Sequence, residues 1–566
     1  MTVEFEGFLQ EPRIAYFSME FALDEQMPTY SGGLGVLAGD TMRTAADLDL
    51  PMIGVTLVSR AGYFRQEIID GAQVEHPDAW QPEKWCRSLP AKVAVSIGAH
   101  EVWIGAWLHR VESHCGGVIP VILLDTDLAE NSPEDREITH HLYGGDEGYR
   151  VKQEIVLGIG GARMLAALGV KVLKYHLNEG HAAFLTLELL RHHAHTAQEA
   201  GKGAMRYDTA AVRSRCVFTT HTPVEAGHDQ FPYALAAPLL GDFVDGAQLR
   251  ALAGEDRLNM TRLALNLSEH VNGVARRHAE VSRRMFPGYE IRAITNGVHP
   301  WTWACDSFRR LYDRCIPQWC HEPELLMRAT GIADEEIRKA HADAKTALAK
   351  EIIRLGGRAP DAGVATIGFG RRMTPYKRPD LLFSDLDRLR EIARRHPVQI
   401  VLAGKAHPRD SGGKQLVERL HDYARKLQGA VPVVFLPDYN VRIARLLVSG
   451  VDIWLNTPQR PLEASGTSGM KAALNGVPNL SVLDGWWLEG WIEGVTGWAI
   501  GRDGSHEDAA SDARSLHGQL ENVVLPLFYD DAAGWTKVMK GAISLNASYF
   551  NSHRMLRRYA AETYLR

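Results

Sequence analysis

Short apolar runs rich in β-branched residues recur along this chain, and each ends in glycine, proline or polar residues before a helix-like segment. This alternation predicts strands and helices in turn, the pattern of parallel sheets covered by helices. In the first half the predicted strands cover residues 13–20, 51–59, 118–127, 172–180, 215–223 and 291–297. In the second half they cover residues 364–370, 398–406, 431–437, 451–457 and 479–485. The pattern therefore predicts an α/β protein with two parallel sheets.

A mainly helical stretch, residues 301–357, separates the two sets of strands. The chain has 566 residues, which is more than one hydrophobic core usually supports. We therefore predict a Rossmann-like domain over residues 1–297, a second one over 298–540, and a helical tail over 541–566 that packs back on the first domain. Ligands bind beyond the carboxyl ends of the strands in open parallel sheets, so a cleft between the two domains is expected to hold the site.

Composition and charge narrow the classes of function. The formal net charge of -6, with 23% charged residues, gives no overall attraction for nucleic acid or acidic lipid. No apolar run approaches the roughly 20 residues that span a bilayer, and the first residues lack the pattern of a signal peptide. We expect a cytoplasmic protein that binds neither nucleic acid nor a membrane.

The cysteines and histidines suggest no metal site. The cysteines include no CxxC pair, which fits reduced thiols better than a disulfide framework or a zinc site; they are Cys86, Cys115, Cys216, Cys305, Cys315 and Cys320. The histidine clusters that begin at residues 140 and 192 have no acidic or cysteine partner at ligand spacing. The sequence therefore predicts no metal, and the cysteines are assigned no chemistry.

Two segments have the composition of anion sites. The run "SGGLGVLAGD", residues 31–40, places glycines before a helix start, although such a turn is more often only a tight connection. The run "RRMTPYKR", residues 371–378, places four cations directly after a predicted strand. Arginine forks and a lysine charge are what phosphate recognition requires, and a solvated basic loop is the alternative. The position at a strand end favours a phosphate site.

One lysine stands out in "EASGTSGMKAALNG", residues 463–476. Small residues and hydroxyls at positions 466–469 predict a capped turn, followed by a helix with Lys471 in its first turn. The positive end of a helix disfavours an ammonium there, so we expect a lowered pKa if Lys471 is also buried. Helical lysines are usually exposed and inert, but a neutral amine behind a phosphate-like turn suits a Schiff-base residue.

With these motifs the sequence resembles the α-glucan phosphorylases, the glycogen, starch and maltodextrin enzymes that carry pyridoxal 5'-phosphate. The segment "GTSGMK" resembles the cofactor-lysine signature of that family, in which "GTGNMK" is usual. The other matching motifs keep their order along the chain: "SGGLG", "LNEGHAAF", "HTPVEA", "TNGV", "RRMTPYKR", "GKAHP" and "DYNV". The resemblance implies two Rossmann-like domains that face a cleft, the glycosyltransferase fold of the B type.

The resemblance also implies a role for each matching residue. Those implied to hold the cofactor are Lys471, Arg371, Thr467 and Tyr439. Those implied in catalysis are Lys471 itself, Arg372 and Lys377, which hold the substrate phosphate, and His221, whose backbone carbonyl faces the cleaved bond. Those implied to contact substrate are Gly33, Leu34, His181, Asn296, Glu463, Ser465 and Gly466.

The activity implied by the resemblance is the reversible phosphorolysis of α-1,4-glucan or maltodextrin by inorganic phosphate to α-glucose 1-phosphate, with retention. A homodimer is expected by resemblance alone. The chain departs from the family at "SGMK", which removes an amide, and at Arg371, which stands where the family has lysine. Both departures are expected to change cofactor affinity rather than the reaction. The chain is also shorter than family members, so acceptor chain length is left open.

Two other functions stay open at this point. A nucleotide-sugar glucosyltransferase, such as a glycogen or starch synthase, would share the fold and the glycine loop. Such enzymes usually place a glutamate for the donor ribose where Lys471 stands, which counts against this reading. A non-catalytic glucan-binding protein would use Trp486, Trp487 and Trp491 to stack on sugar rings, although tryptophans are more often core residues.

Overall fold

The computed structural model describes residues 3–195, 206–501 and 508–565. Two large sheets dominate it, and every strand predicted from the apolar runs is present in one of them. Each strand is shorter than its apolar run, and in most cases the polar residues at the carboxyl end leave the sheet as a loop. The prediction of an α/β protein with parallel sheets is confirmed.

The first sheet has nine strands in the order β13-β12-β9-β8-β1-β2-β7-β6-β5. Strands from β13 to β7 are parallel, and β6 and β5 continue the edge as antiparallel neighbours. Two hairpins lie outside the sheet, β3 with β4 and β10 with β11. The thirteen strands are β1 Arg13–Phe17, β2 Met52–Leu57, β3 Arg65–Ile69, β4 Ala72–His76, β5 Arg87–Ile97, β6 His100–Glu112, β7 Val118–Asp125, β8 Val172–Asn178, β9 Cys216–Thr219, β10 Gln230–Pro232, β11 Arg257–Asn259, β12 His270–Gly273 and β13 Arg292–Ala293.

Helices cover both faces of this sheet, which explains why its central strands are apolar throughout. Along β1, Ala15 and Phe17 pack into one core, while Ile14 and Tyr16 pack into a second core on the opposite face. The α-helices are Val3–Glu6, Gly33–Asp47, Pro133–Arg136, Glu147–Ile155, Gly161–Ala167, Leu185–His192, Thr209–Arg213, Tyr233–Leu240, Gly246–Ala253, Met260–Asn266 and Arg276–Met285.

The second sheet is fully parallel and has six strands in the order β16-β15-β14-β17-β18-β19. These strands are β14 Ala365–Gly370, β15 Val398–Ala403, β16 Val433–Leu436, β17 Ile453–Asn456, β18 Asn479–Val482 and β19 Gly497–Ile500. The chain adds strands to one side of β14 and then, from β17, to the other side. The strand order therefore reverses between β14 and β17, where open parallel sheets bind ligands.

Most helices of the second half pack around one large core, whereas the last of them packs against the first half. The helical stretch predicted over residues 301–357 is present and leads into the second sheet. The α-helices are Pro300–Trp303, Asp306–Cys315, Asp334–Arg354, Leu386–Arg395, Ser411–Lys426, Val441–Gly450, Ser468–Ala473, Trp487–Gly490, Ala509–Gln519, Leu525–Asp530, Ala532–Gly541 and Ser552–Tyr559. Within the three described ranges, no helix is long and apolar enough to cross a bilayer.

The last helix packs on the first sheet rather than the second. Tyr559 Oη contacts Thr219 Oγ1 at 3.1 Å and accepts a hydrogen bond from Asn272 Nδ2 at 2.8 Å. Tyr564 Oη lies 2.6 Å from His176 Nδ1 on β8. The chain thus crosses back to the first sheet near its end, while the domain boundaries at residues 297 and 540 stay a prediction.

The β3–β4 hairpin is a second connection between the two halves. Gln66 donates its backbone N–H to Asp438 Oδ1 at 2.9 Å and its side-chain amide to the Gly404 carbonyl at 2.9 Å. Gln73 donates its side-chain amide to the Ala406 carbonyl at 2.9 Å and accepts the Ala406 N–H at 2.9 Å. Paired amides of this kind fix the distance between the loops that follow the strands of the two sheets.

The strands that the apolar pattern missed are mostly edge strands. β5 and β6 alternate buried and exposed residues over much of their length, so they lack the continuous apolar run of a buried strand. β12 is four residues long and carries a histidine and an asparagine. β19 begins at a glycine after an irregular loop. A search for period-two alternation would have found β5 and β6.

Candidate active site

Polar residues converge where the strand order of each sheet reverses. In the second sheet Arg371 follows β14, and the loop after β17 leads to Glu463. In the first sheet Glu20 follows β1, and Glu179 follows β8, its neighbour across the reversal point. Both sets leave the carboxyl ends of central strands, so the topology itself brings the predicted motifs to one cleft.

Glu463 holds two of the predicted cations. Its Oε2 lies 2.7 Å from Arg371 Nη2, and its two oxygens accept hydrogen bonds from Lys377 Nζ at 2.9 and 2.7 Å. Burial alone would raise the pKa of Glu463, but Arg371 and Lys377 more than offset it, so its pKa lies below the ordinary value. Glu463 is therefore a buried, ionised carboxylate between two cations.

Arg372 lies apart from this network and faces the glycine loop of the first half. A Cβ at Gly32 would lie 4.0 Å from Arg372 Nη2. The guanidinium is exposed in the cleft, whereas the last cation of the motif, Arg378, is tied to Asp512 Oδ2 at 2.6 Å. Three of the four cations thus belong to the cleft, and Arg378 is structural.

The glycine loop is anchored by Glu20, a residue that the motif search did not single out. Glu20 Oε2 accepts the N–H groups of Ser31 at 2.5 Å and Gly32 at 3.1 Å. The helix Gly33–Asp47 begins directly afterwards, as predicted. The N–H groups of Gly33 and Leu34 lie in its first turn, where helical geometry supplies no acceptor within the helix. These two groups and Arg372 therefore lie close together along one edge of the cleft.

Lys471 is buried in the short helix Ser468–Ala473. Its ammonium lies 3.8 Å from the centroid of the Trp303 ring. Burial and the nearby charge of Arg371 lower the pKa of Lys471 to about 8, although Asp40 acts in the opposite direction. Desolvation is thus the main cause of the lowered pKa of Lys471, which the sequence analysis expected. The amine is partly neutral near physiological pH, which suits a nucleophilic lysine.

The turn before Lys471 differs in detail from the prediction. Thr467 occupies the N-cap position, but its hydroxyl makes no capping hydrogen bond. The Ser468 hydroxyl instead accepts the indole N–H of Trp454 at 3.1 Å. Gly466 has a φ of 84°, a conformation that other residues rarely adopt. The turn is therefore set by glycine and by tertiary contacts, and the expected hydroxyl caps were wrong.

Several buried polar atoms in the predicted motifs have no hydrogen-bond partner among the described residues. They are Arg371 Nη1, Thr374 Oγ1, Asn296 Oδ1 and Ser465 Oγ. Tyr439 lies beside them, and its hydroxyl donates to the Gly370 carbonyl at 3.1 Å. A Cβ at Gly370 would lie 3.1 Å from the Tyr439 ring, so the tyrosine packs directly on the β14 backbone. Buried polar atoms normally find partners, so this set indicates a polar ligand.

The two predicted histidines of the first half, His181 and His221, are largely enclosed and neutral. Burial lowers the pKa of His221 to about 3, and its Nε2 lies 2.6 Å from Asn178 Oδ1. Burial, together with the charge of Arg150, lowers the pKa of His181 to about 3. Neither imidazole is protonated at neutral pH. Both are therefore suited to hydrogen bonding rather than to a charge contact with phosphate.

Glu179 joins the loops that carry these histidines. Its Oε2 accepts the His221 N–H at 2.7 Å and the Thr222 hydroxyl at 3.0 Å. Its own φ is 74°, which is a strained conformation for a residue with a side chain. In the motif "LNEGHAAF", only the histidine, His181, was predicted to belong to the site. A glutamate at a strand end next to glycine is the signal that could have identified Glu179.

Two further residues beside Lys471 were missed. Trp303 forms the wall against the lysine and donates its indole N–H to Asp40 Oδ2 at 2.8 Å. Asp40 lies in the helix that follows the glycine loop, and its Oδ1 accepts no hydrogen bond in the described part of the chain but lies 3.6 Å from Arg43 Nη1. Neither contact follows from spacing, because 263 residues separate Trp303 from Asp40.

The tryptophans weighed as sugar-stacking residues are mostly core residues. Trp486 is 2% exposed and Trp487 is fully buried, and Trp486 packs on Phe550 with ring centroids 4.8 Å apart. Trp491 is half-buried, and its indole N–H donates to Glu493. The core interpretation of Trp486 and Trp487 is confirmed, so these two rings are not available to a sugar.

Comparisons with known proteins show the family to which the chain belongs. The family described as carbohydrate phosphorylase matches residues 21–102 and 229–491. A maltodextrin phosphorylase of Thermococcus litoralis is 40% identical over 98% of this chain and 70% of its own length. A glycogen phosphorylase of Mycobacterium tuberculosis is 37% identical over 97% of this chain and 70% of its own length. An uncharacterized protein of Methanocaldococcus jannaschii is 31% identical over 97% of this chain and 99% of its own length. The chain therefore belongs to the carbohydrate phosphorylase family, and its two parallel sheets form the glycosyltransferase fold of the B type.

Proposed function

We propose that this chain is an α-glucan phosphorylase that removes terminal α-1,4-linked glucosyl units from glycogen or maltodextrin. Inorganic phosphate is the acceptor, the product is α-D-glucose 1-phosphate, and the anomeric configuration is retained. The observation that carries the proposal is the convergence of Arg371 and Lys377 on Glu463, with the buried, partly neutral Lys471 near Arg371. Arg372 adds a third cation from the side of the glycine loop. The relatives named maltodextrin and glycogen phosphorylase support the substrate class.

The residues around Lys471 fit pyridoxal 5'-phosphate as the cofactor. Lys471 would hold it covalently, and Arg371, with Nη1 unpartnered among the described residues, would contact its phosphate together with Thr467. Tyr439 and Trp303 supply flat apolar walls for a ring. When bound, the cofactor supplies a phosphate group that exchanges a proton with the substrate phosphate. The loss of an amide at "SGMK" leaves the arginine fork as the stronger phosphate ligand.

The role of Arg372 and Lys377 is to hold the substrate phosphate. Arg372 reaches across to Gly32, so a phosphate between them can accept from the guanidinium and from the N–H groups of Gly33 and Leu34. Lys377 adds a point charge from the Glu463 side. Preorganised cations and backbone donors of this kind stabilise charge where it develops and require little rearrangement during the reaction.

Glu463 does not act as the proton donor in this proposal. Its pKa lies below the ordinary value because of Arg371 and Lys377, whereas a glycosidase acid needs a raised pKa. The proton for the leaving glycosidic oxygen comes from the phosphate P–OH. The C1–O4 bond then breaks, and a phosphate oxygen bonds to C1 from the same face. Glu463, Asn296, Ser465 and the backbone at Gly466 position the sugar hydroxyls.

The neutral histidines complete the sugar side of the cleft. His221 is fixed by Asn178 and by Glu179, so its backbone is held rigidly. We assign its carbonyl to the region where positive charge develops at C1. His181, two residues after Glu179 in the chain, is assigned to the path of the glucan. Its Nδ1 is without a hydrogen-bond partner in the described ranges and is available to a hydroxyl.

The test is direct assay of the purified chain with maltodextrin and inorganic phosphate. Formation of glucose 1-phosphate as the α-anomer, detected by phosphorus and proton NMR, would support the proposal. Formation of longer glucan from a nucleotide sugar, but not from glucose 1-phosphate, would contradict it. Glucan binding without turnover in the cofactor-loaded protein would equally reject it. The homodimer and the cytoplasmic location expected from sequence stay predictions.

A Glu463→Gln change is predicted to lower the midpoint temperature of thermal unfolding. It is also predicted to make that midpoint depend more strongly on the phosphate concentration. The change leaves Arg371 and Lys377 without their anion, and breaking a buried pair costs about 3–5 kcal/mol. Inorganic phosphate can take over part of that role, so it should raise the midpoint more in the variant than in the unchanged protein. Thermal unfolding at several phosphate concentrations measures both effects.

The matched control is Glu521→Gln. Glu521 also pairs with two arginines, Arg388 and Arg395, but these side chains are exposed. Exposed pairs contribute about 0–1 kcal/mol, so this variant should keep its midpoint and its phosphate response. An equal phosphate response in the two variants would show that the cations at Glu463 do not form a phosphate site.

The pKa of Lys471 gives a pH prediction for cofactor binding. Only the neutral amine attacks a carbonyl, so below pH 8 the rate of covalent reconstitution should rise about tenfold per pH unit. Above about pH 8 it should level off, whereas exposed lysines titrate near 10.4. Stopped-flow absorbance of cofactor-free protein mixed with pyridoxal phosphate measures this. A rate that still rises steeply between pH 9 and 10 would contradict a lowered pKa.

A further inference from the structure

A cluster of two cysteines and a histidine lies away from the cleft. Cys115 Sγ and Cys320 Sγ are 3.6 Å apart, although 205 residues separate them in the chain. One ring nitrogen of His321 completes a set of three atoms that all lie within 4.8 Å of one another. The sequence analysis predicted no chemistry for these cysteines, because only the tertiary fold brings them together.

The cluster joins the two halves of the molecule. Cys115 lies in the turn between β6 and β7, two neighbouring strands of the first sheet. Cys320 and His321 lie in the turn that follows the helix Asp306–Cys315, in the stretch that leads to the second sheet. A ligand bound by all three side chains would therefore connect segments that belong to different halves.

Independent contacts hold both turns in place. The Ser113 hydroxyl accepts the Cys115 N–H at 2.6 Å and donates to Asp47 Oδ1 at 2.6 Å. His114 stacks on Trp301 with centroids 3.5 Å apart, and Trp301 stacks on Trp319 at 5.8 Å. The three side chains of the cluster thus extend from a preformed scaffold, as metal ligands generally do.

The distance between the sulfurs distinguishes two chemistries. Two thiolates about 2.3 Å from a tetrahedral Zn²⁺ lie about 3.8 Å apart, whereas bonded disulfide sulfurs lie about 2.05 Å apart. The observed 3.6 Å is close to the zinc value. Two thiolates and one imidazole are also soft and borderline ligands, which favour Zn²⁺ over Mg²⁺ or Ca²⁺.

We propose that Cys115, Cys320 and His321 form a zinc site that joins the two halves of the chain, with solvent as the fourth ligand. On binding, each thiol loses its proton to solvent, so one Zn²⁺ enters and two protons leave, without any redox change. The site is structural. Asp47, next to it, ends a 15-residue helix whose first residue lies at the cleft, so roughly 20 Å separates zinc from the chemistry.

The experiment uses the full chain with its cofactor, reduced and stripped of metal by a chelator, and titrated with Zn²⁺ alone. One Zn²⁺ per chain and an increase in thermal midpoint are expected, because a ligand that binds only the folded state stabilises it. Cobalt substitution should give sulfur-to-metal charge-transfer absorption. These readouts do not depend on glucan turnover, so a failed phosphorolysis assay would leave them unaffected.

Variants locate the ligands. Cys115→Ser and Cys320→Ser should lose stoichiometric binding and the cobalt absorption, and His321→Ala should weaken binding more than about tenfold. His321 is exposed, so its variant should fold even if a cysteine variant does not. Cys315→Ser, at an exposed thiol outside the cluster, is the matched control and should bind normally.

Three results would overturn the site. The first is absence of stoichiometric Zn²⁺ binding to the reduced protein. The second is unchanged affinity in both His321→Ala and Cys320→Ser. The third is a Cys115–Cys320 disulfide in the isolated protein together with failure to bind Zn²⁺ after reduction.

Discussion

A Lys471→Ala variant is expected to lose covalently bound pyridoxal phosphate and to lose phosphorolysis by about 10²–10⁴-fold or more, the usual share of proton transfer in catalysis. Lys471 is buried against Trp303, and its pKa of about 8 keeps part of the amine neutral. Near-ultraviolet absorbance and fluorescence before and after borohydride reduction, followed by peptide mapping of the label, measure the result.

Two companion variants separate chemistry from folding. Lys471→Arg keeps a cation against Trp303 but offers no comparable nucleophile, so it should fold and still lose the label. Lys537→Ala removes an exposed lysine and should keep both label and activity. A Lys471→Ala protein with full activity and no bound cofactor would overturn the proposed role, and so would a label that maps to another lysine.

An Arg372→Ala variant is expected to lose about 10²-fold in kcat/KM for inorganic phosphate while retaining its cofactor. Arg372 reaches toward Gly32 from the opposite wall of the cleft, and it lies outside the ion network of Glu463. Arg372 is exposed in the open cleft, but a bound phosphate would exclude water from their contact, and losing one partner of such a pair costs about 3 kcal/mol, roughly 10²-fold. Initial rates over a phosphate titration at fixed maltodextrin measure the change.

The control must remove the same charge from the same region. Arg409→Ala does so, because Arg409 is exposed and, like Arg372, lowers the pKa of His407. This variant should change phosphate kinetics only slightly and in a salt-dependent way. Arg372→Lys keeps the charge but loses the planar fork, so it should recover part of the loss. Unchanged phosphate kinetics in Arg372→Ala would exclude it from the phosphate site.

The sequence predicts the central strands well because burial on both faces makes them continuous apolar runs, as at β1 and β14. It predicts Arg371, Arg372 and Lys471 as candidates because each stands in a compact motif next to a strand or helix end. Motifs that follow the central strands meet at the points where strand order reverses. The principal elements of the site therefore follow from local pattern plus one rule of topology.

What the sequence could not predict are contacts between distant residues. Glu20 anchors the glycine loop, and Trp303 packs against Lys471, but neither residue stands in a motif with its partner. In the sequence Cys115 and Cys320 are isolated cysteines, and only the folded chain brings their two turns together. The turn before Lys471 was predicted with hydroxyl caps, but a tertiary hydrogen bond from Trp454 engages Ser468 instead. In each case the partner comes from a remote part of the fold.

The last helix has a consequence for how the chain matures on the ribosome. Arg554 donates from its two Nη atoms to the carbonyls of Thr295 and Asn296, each at 2.8 Å, and Tyr559 bonds to Thr219 and Asn272. These partners are synthesised more than 250 residues earlier. During translation this surface of the first sheet therefore stays exposed to solvent, chaperones and proteases until the last helix has been synthesised. The loop that carries Asn296 gains its final support only when residues 552–564 emerge.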